Sequence, residues 1–276
     1  MTKRPDNLDS MVVVPPATVL AVGATGSIGR LVVAEALRQG YAVRALVRDE
    51  ARAHRVLPPE TQLVVGEVTS QEGLAKVANA VDAVVFTLGA GSLRGERAEA
   101  VDYGGVRNVL MALGHRKPRI ALMTAIGVTK REDPRLGPLG GHDWKRRSER
   151  LVRASGCVYT IVRPGWFDYN EPDQQRLVLV QGDTRWASDT SDGVVSRLQV
   201  AETLVRSLST PAAAFRTVEL VTERGPAPHD FEALFAPLTA DPPGAVDGVL
   251  DVDNMPPEKE PARIREQLAA LRAAAH

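Results

Sequence analysis

The chain has 276 residues, of which 44% are hydrophobic, so it is long enough for one large α/β domain with a small appendage. Lysine plus arginine and aspartate plus glutamate both total 34, which gives a formal net charge of zero and no overall basic field for nucleic acid or an anionic membrane. No apolar run approaches the roughly 20 residues that cross a bilayer. The single cysteine, Cys157, excludes an internal disulfide and a cysteine-based metal site, and we expect it to be buried and inert. These features predict a cytoplasmic protein without a bound metal.

Short β-branched runs alternate with longer stretches of helical spacing, an order typical of a parallel sheet with crossover helices. The predicted strands are 18–22, 42–47, 62–65, 83–86, 119–123, 159–162 and 217–221. The predicted helices are 28–37, 71–80, 96–113, 143–154, 199–207 and 260–274. We therefore predict an α/β fold, a Rossmann-like doubly wound parallel sheet of about seven strands, with a small C-terminal substrate lobe.

The first strand runs directly into a glycine-rich turn, Gly23-Ala24-Thr25-Gly26-Ser27-Ile28-Gly29, and a helix follows. In this setting Gly23 makes the tight turn, Gly26 lets the backbone approach a pyrophosphate and Gly29 allows close helix packing. The unpaired amides at the helix start then face the anion. A tight turn that binds nothing is the alternative, but the position in the first βαβ unit favours a dinucleotide site.

The end of the second strand distinguishes the two nicotinamide cofactors. An acidic residue there usually binds the ribose hydroxyls of NAD, whereas an arginine accommodates the 2′-phosphate of NADP. Arg48 occupies this position, and we predict that it binds that phosphate. Asp49 follows directly, and because it is acidic it leaves NAD as an alternative. A third interpretation is that Arg48 and Asp49 are only an exposed surface pair.

Four segments carry a family resemblance: Gly23-Ala24-Thr25-Gly26-Ser27-Ile28-Gly29-Arg30, Val43-Arg44-Ala45-Leu46-Val47-Arg48, Val101-Asp102-Tyr103-Gly104-Gly105-Val106-Arg107-Asn108 and Tyr159-Thr160-Ile161-Val162-Arg163-Pro164-Gly165. They resemble the atypical short-chain dehydrogenase/reductases with NAD(P)-binding, NmrA-like domains. Val195-Ser196-Arg197 is similar to a later family signature. The resemblance covers roughly residues 18–222 and implies a seven-stranded Rossmann core with a small substrate lobe.

The resemblance also implies a cofactor site along the carboxyl ends of the strands. Residues 66–68 would border the adenine, although Glu67 stands where the family commonly has aspartate. Residues 87–90 would line the ribose and pyrophosphate. Residues 124–127 would border the nicotinamide and substrate, and residues 164–167 would cover the carboxamide. The predicted NADP(H)-binding residues are Gly23, Thr25, Gly26, Ser27, Ile28, Gly29, Arg48, Glu67, Val68, Thr87, Leu88, Gly89, Lys145, Pro164, Gly165, Trp166 and Phe167.

The catalytic signature is incomplete. In the main branch of the superfamily a tyrosine lies four residues before a lysine and donates a proton during carbonyl reduction. Lys145 aligns with that lysine, but Gly141 stands at the tyrosine position. Lys145 would still bind the nicotinamide ribose, and His142, Thr124 and Tyr103 are candidate proton donors, although a loop histidine beside glycines is more often exposed.

We divide the chain into a flexible tail (1–16), an NADP-binding core (17–165) and a remainder (166–276) with the substrate lobe, the last core strand, a C-terminal wrap and a terminal helix. The lobe, 168–193, is polar apart from one strand-like patch at 177–180. For Trp166 and Phe167 beside it, substrate contact and ordinary packing of the lobe are the two interpretations. The proline-rich segment 238–260 is expected to be extended rather than packed. Lys145-Arg146-Arg147 is expected to form a solvated basic surface, with a partner-binding face as the alternative.

These features predict an oxidoreductase that transfers hydride from NADPH to a small organic acceptor such as a quinone, flavin or conjugated carbonyl. One alternative is a non-catalytic NADP-binding sensor of NmrA-like type, because the usual tyrosine is absent. Another is an NADP-dependent epimerase or isomerase. The expected partner is a small-molecule substrate, and the sequence leaves monomer and dimer open.

Overall fold

The computed structural model describes residues 12–91, 96–132 and 140–274. Its strands are β1 (Thr18–Val22), β2 (Ala42–Val47), β3 (Gln62–Val65), β4 (Ala83–Phe86), β5 (Arg119–Met123), β6 (Tyr159–Pro164), β7 (Trp166–Phe167), β8 (Arg176–Val180), β9 (Val194–Val195) and β10 (Arg216–Glu223). Within these ranges the main sheet has eight strands in the order β3-β2-β1-β4-β5-β6-β10-β8, and β7 pairs with β9 in a separate ribbon. The Rossmann-like fold is therefore confirmed.

The eighth strand is where the sheet differs from the prediction. The strand-like patch that we expected within the polar lobe is β8, which runs antiparallel to β10 and extends the main sheet at its edge. The other neighbouring strands of this sheet are parallel, so their carboxyl ends lie along one edge. An edge strand of opposite direction is common on such sheets.

The helices are α1 (Gly29–Arg38), α2 (Glu50–Val56), α3 (Leu74–Val77), α4 (Glu96–Ala98), α5 (Val106–Leu113), α6 (Gly141–Ala154), α7 (Arg197–Ser209), α8 (Phe231–Phe235) and α9 (Ala262–Ala274). A π-helical turn at Glu99–Gly105 joins α4 to α5 within the single helix predicted at 96–113. The helix predicted at 71–80 shortens to α3 because Gly73 and Ala80 have positive φ angles. The short helices α2 and α8 were not predicted, although Asp49 and Asp230 cap them.

Two apolar layers cover the sheet. One contains buried residues of α1 and α7, and the other contains those of α5, α6 and α9. Cys157 is buried in the second layer, as predicted, and burial raises the pKa of its thiol. Val13 lies within the segment expected to be a tail, yet its amide donates to the carbonyl of Leu208 at 2.9 Å and its carbonyl accepts from Tyr41 Oη at 2.7 Å. The end of that segment is therefore held against the core.

The arginines of α6 are buried, so the predicted solvated basic surface is wrong for Arg146 and Arg147. Arg146 Nη2 and Arg150 Nη2 lie 3.0 Å and 2.7 Å from the carboxylate of Asp247, and Arg147 Nη2 lies 2.9 Å from Glu260. Both acids belong to the proline-rich C-terminal segment, here called the strap (241–260). The strap contains turns and the short 3₁₀ helix Pro257–Lys259. The prediction that it is extended rather than packed is wrong, because its carboxylates pair with the buried guanidiniums of α6.

Asn254 of the strap joins α6 to the loop that follows β5. Its Oδ1 accepts from Arg146 Nη1 at 2.5 Å, and its Nδ2 donates to the carbonyl of Thr129 at 2.8 Å. The backbone carbonyl of Asn254 accepts from Arg131 Nη1 at 2.9 Å. One strap residue thus fixes the position of α6 relative to a loop at the carboxyl edge of the sheet.

A second buried ion network joins α6 to the sheet. The carboxylate of Glu149 accepts from Arg163 Nη2 at 2.7 Å and from Arg153 Nη2 at 3.3 Å. Arg163 also pairs with Asp251 of the strap at 2.7 Å. Burial alone would raise the pKa of Glu149, but the two guanidiniums outweigh it and hold the pKa below its usual value. The carboxylate is therefore ionised at neutral pH.

Replacing Asp247 with Asn should destabilise the fold by about 3 kcal/mol at pH 7, because the buried Arg146 would lose its counter-charge and Arg150 would keep only Glu260. Burial opposes ionisation of Asp247, yet hydrogen bonds from Arg150 and the charge of Arg146 hold its pKa well below the usual value. A depressed pKa contributes stability above the unfolded value of about 3.9, and this stability is lost as the pH falls through the folded value.

Urea unfolding at pH 7 and pH 3 measures this effect, and the gap between wild type and Asp247→Asn should narrow at pH 3. The exposed strap residue Asp253, changed to Asn, is the matched control and should unfold like wild type at both pH values. A gap of equal size at both pH values would contradict the assignment.

Candidate cofactor site

The glycine-rich turn lies at the carboxyl end of β1 and leads into α1. Helix α1 has no side-chain cap and no acidic residue in its first turn. Among the described residues, the amides of Thr25, Ser27 and Ile28 donate to no backbone carbonyl, and Gly26 and Ser27 are exposed. Unpaired amides at the positive end of a helix dipole bind anions, so this turn fits the pyrophosphate of a dinucleotide.

Close backbone contacts explain why the turn needs glycine. A Cβ on Gly29 would lie 2.0 Å from the carbonyl oxygen of Gly23, and one on Gly23, where φ is +91°, would lie 2.9 Å from that of Thr87. The amide of Thr87 donates to Val22 at 2.9 Å, and its hydroxyl lies 3.3 Å from the same carbonyl oxygen. Thr87, predicted to line the cofactor, therefore also fixes the turn from β4.

Arg48 and Glu67 lie together at the end of β2 and β3. Arg48 Nη1 is 3.8 Å from the carboxylate of Glu67, and both side chains are exposed. Asp49, the acid that left NAD as an alternative, accepts from the amide of Arg52 at 2.8 Å and caps α2. Val68 is buried, and its carbonyl accepts from Asn108 Nδ2 at 2.9 Å.

The π-helical turn brings Asp102 to Lys145. The carboxylate of Asp102 accepts from the amide of Ala90 at 3.1 Å and lies 3.7 Å from Lys145 Nζ. Burial raises the pKa of Asp102, and the ammonium of Lys145 opposes that shift. Gly105 lets the π-helical turn pack closely on the loop after β4, since a Cβ there would lie 2.8 Å from Leu88 Cδ1. Sequence reasoning gave Asp102 no role, although the adjacent glycines 104 and 105 were a signal of close packing.

His142 is buried in the first turn of α6, so the expectation of an exposed loop histidine is wrong. Its Nδ1 lies 2.9 Å from the carbonyl oxygen of Gly127 in the loop after β5. Because a carbonyl only accepts, Nδ1 carries the proton in this contact, and desolvation lowers the pKa of the ring. The neutral ring then has Nε2 as a hydrogen-bond acceptor, which does not suit a proton donor.

The hydroxyl candidates donate to other groups. Thr124 Oγ1 donates to the carboxylate of Glu149 at 2.7 Å, inside the buried ion network. Tyr103 Oη donates to Gln267 of α9 at 2.8 Å, and burial raises the pKa of this tyrosine to about 12. Gly141, at the position of the family tyrosine, begins α6. Within the described ranges, none of the predicted donors is placed as a free acid.

The loop after β6 completes this edge. The amide of Gly165 donates to Leu220 at 3.0 Å and that of Trp166 to Gly193 at 2.9 Å. A Cβ on Gly165 would lie 2.4 Å from the carbonyl oxygen of Gly193, so the loop packs tightly there. Pro164 ends β6, the Trp166 side chain is exposed, and Phe167 is half-buried. The predicted cofactor residues thus share the carboxyl edge of the sheet, and their individual contacts stay predictions.

Two classes of feature were not found in the described ranges. No group of three or more His, Cys, Asp or Glu side chains there is arranged to hold a metal ion. No helix there is long and apolar enough to cross a membrane.

The fold and the open phosphate turn define a nucleotide-binding protein of the Rossmann class. The chain belongs to the NAD(P)H-binding family, whose model matches residues 23–211. This confirms the resemblance to atypical short-chain dehydrogenase/reductases, and the cofactor class of the family is a nicotinamide dinucleotide.

Known relatives are similar over most of the chain. The uncharacterized sugar epimerase YhfK of Bacillus subtilis is 29% identical, over 73% of this chain and 92% of that protein. The sanguinarine reductase of Eschscholzia californica is 24% identical, over 80% of this chain and 96% of the reductase. The solved structure of a putative NAD-dependent epimerase/dehydratase from Bacillus halodurans superimposes with a TM-score of 0.64 at 23% identity, over 80% of this chain and 100% of that one.

Replacing Gly29 with Ala should destabilise the protein by about 1–3 kcal/mol, because the new Cβ would overlap the Gly23 carbonyl. The turn must also open, so NADPH binding should fall more than tenfold. Thermal unfolding and fluorescence titration measure the two effects. For stability the control is Gly89→Ala, where a Cβ meets nothing within 4 Å. Wild-type binding by Gly29→Ala would show that this turn does not hold the cofactor.

Proposed function

We propose that this chain is an NADPH-dependent oxidoreductase that transfers hydride to a small organic acceptor such as a quinone, flavin or conjugated carbonyl. The observation that carries the proposal is the shared sheet edge, at which an open phosphate turn, the exposed Arg48 and the Asp102-held Lys145 all lie. Membership of the NAD(P)H-binding family supports it, as does similarity to a protein named sanguinarine reductase.

The preference for NADPH over NADH rests on Arg48 and Asp49. Arg48 is exposed, and its contact with Glu67 is long at 3.8 Å, so the guanidinium is available to a phosphate. The carboxylate of Asp49 accepts from the amide of Arg52 as the cap of α2. An acid in that role is a poor ligand for ribose hydroxyls, and this favours the 2′-phosphate.

The chain's own residues hold and orient the cofactor. A bound NADPH supplies a hydride from C4 of its nicotinamide. The amides of the turn bind the pyrophosphate, and Lys145 hydrogen-bonds the nicotinamide ribose. Asp102 holds the Lys145 ammonium against the loop after β4, because the same carboxylate also binds the Ala90 amide. The contribution of the protein is therefore mainly orientation.

The groups available to donate a proton determine which hydride acceptors suit this site. His142 is neutral and Thr124 donates to Glu149, so neither group supplies a proton to a carbonyl oxygen. Acceptors that take a hydride and then a proton from water suit this site. A non-catalytic NADP-binding sensor is the second candidate, because none of the predicted donors in the described ranges is a free acid, and this favours binding without chemistry. An epimerase or isomerase is the third, and the glycine at position 141 counts against it.

With NADPH, the purified protein should reduce a quinone, a flavin or a conjugated enone at least about 100-fold faster than a simple ketone, since general acid catalysis contributes at least that much to ketone reduction. The quinone rate should stay level above pH ~6.5, because the lowered pKa of His142 leaves the ring neutral there. Stopped-flow absorbance at 340 nm follows the reaction. NADPH binding without oxidation by any acceptor would reject the enzyme in favour of the sensor.

Replacing Arg48 with Ala should weaken NADPH binding by about 10- to 100-fold, the usual value of a hydrogen bond to a charged group, and should change NADH binding little. Isothermal titration calorimetry with both nucleotides measures the difference. Arg52, exposed on the first turn of α2, is the matched control when changed to Ala. Equal losses for NADPH and NADH would refute the 2′-phosphate role.

A further inference from the structure

Arg197 lies in the segment Val195-Ser196-Arg197, which resembles a family signature but has no role in the function proposed above. Its Nε donates to Ser27 Oγ on the phosphate turn at 3.2 Å. Its guanidinium also pairs with Asp168 and lies 5.0 Å from the centre of the Phe167 ring. The turn, the loop after β6 and the start of α7 therefore meet at this one cation.

Local stability does not explain an arginine here. Arg197 is the first residue of α7, where the positive end of the helix dipole disfavours a cation. The helix start is already closed by the reciprocal capping box of Ser196 and Gln199, so it does not need the arginine side chain. The Arg197 and Asp168 side chains are 35% and 47% exposed, and such an ion pair adds little stability.

In this structure Asp168 neutralises the positive charge of Arg197. It has a φ angle of +60°, and its Oδ1 accepts from the backbone amide of Arg197 at 2.9 Å. A non-glycine residue in the left-handed region carries backbone strain, which is typical of functional sites. The Asp168 carboxylate is therefore paired with the Arg197 guanidinium, which also donates a hydrogen bond to Ser27 on the phosphate turn.

We infer that Arg197 is a second phosphate ligand of the cofactor site, which binds the pyrophosphate over the turn and exchanges Asp168 for it. This inference rests on the dinucleotide site of the proposed function. The planar fork of a guanidinium matches phosphate oxygens, and the Ser27 contact places that fork at the turn. Arg48 and Arg197 then bind different phosphates: Arg48 the 2′-phosphate present only in NADP, Arg197 the pyrophosphate present in both cofactors.

Calorimetric titration with NADPH, NADH and 2′-AMP distinguishes the two arginines. Arg197→Ala should weaken NADPH and NADH binding by the same factor, about 10- to 100-fold, and leave 2′-AMP unchanged, because 2′-AMP has no pyrophosphate. Arg48→Ala should weaken NADPH and 2′-AMP only. Arg224, which forms an exposed pair with Asp173, is the matched control when changed to Ala and should bind all three like wild type.

Asp168→Asn is the complementary variant. The amide oxygen can still accept from the backbone of Arg197, but the competing charge is gone, so both dinucleotides should bind up to about fivefold more tightly. Arg197→Lys keeps the charge without the fork and should lose part of the affinity, and far-UV circular dichroism verifies the fold of each variant.

Unchanged nucleotide affinity in Arg197→Ala, with or without a higher acceptor KM, would overturn the inference and leave the proposed function standing. Weaker binding by Asp168→Asn would overturn it too, since the pair would then support the site. If wild type binds none of the three nucleotides, the proposed function itself fails.

Discussion

The structure depends on the burial of a very polar helix. Four arginines of α6 would each be costly to bury alone, and they are buried only because acids of the strap and Glu149 pair with them. These paired charges fix the rotation of α6 about its axis, since each guanidinium meets a particular carboxylate. Lys145 and His142 belong to the same helix, so the ion pairs also determine where those two side chains lie.

Much of the fold was predictable because hydrophobic runs and turn residues are local signals. The parallel strands and the phosphate turn follow from runs such as Ala83–Phe86 and from glycines at fixed spacing. The antiparallel direction of β8 is a property of its pairing with β10, about 40 residues away, and no local pattern encodes it. Helices α2 and α8 are too short for a periodicity, and only their aspartate caps marked them.

The candidate site likewise has features that local sequence predicts and features that depend on tertiary contacts. Gly29 and Arg48 could be placed at the candidate site from the sequence because each follows a predicted strand, and their roles there stay predictions. The state of His142 and Thr124 could not be predicted, because it depends on partners brought by tertiary structure: Gly127 for the ring and Glu149 for the hydroxyl. Arg146 and Arg147 were predicted to be solvated because the sequence around them shows only a run of positive charge. Their partners, Asp247 and Glu260, come from a distant segment, and local sequence does not reveal that pairing.

The contacts of Asn254 show that parts of the candidate site are joined late in the synthesis of the chain. It bonds both to Arg146 of α6 and to the loop at 129–131, so two walls of the cofactor edge are joined by a residue more than 100 positions further along the chain. During synthesis strands β1 to β6 and the phosphate turn emerge well before the strap does. The nucleotide-binding half therefore leaves the ribosome before Arg146 and Arg150 can meet Asp247, and α6 gains these partners only when the strap folds onto it.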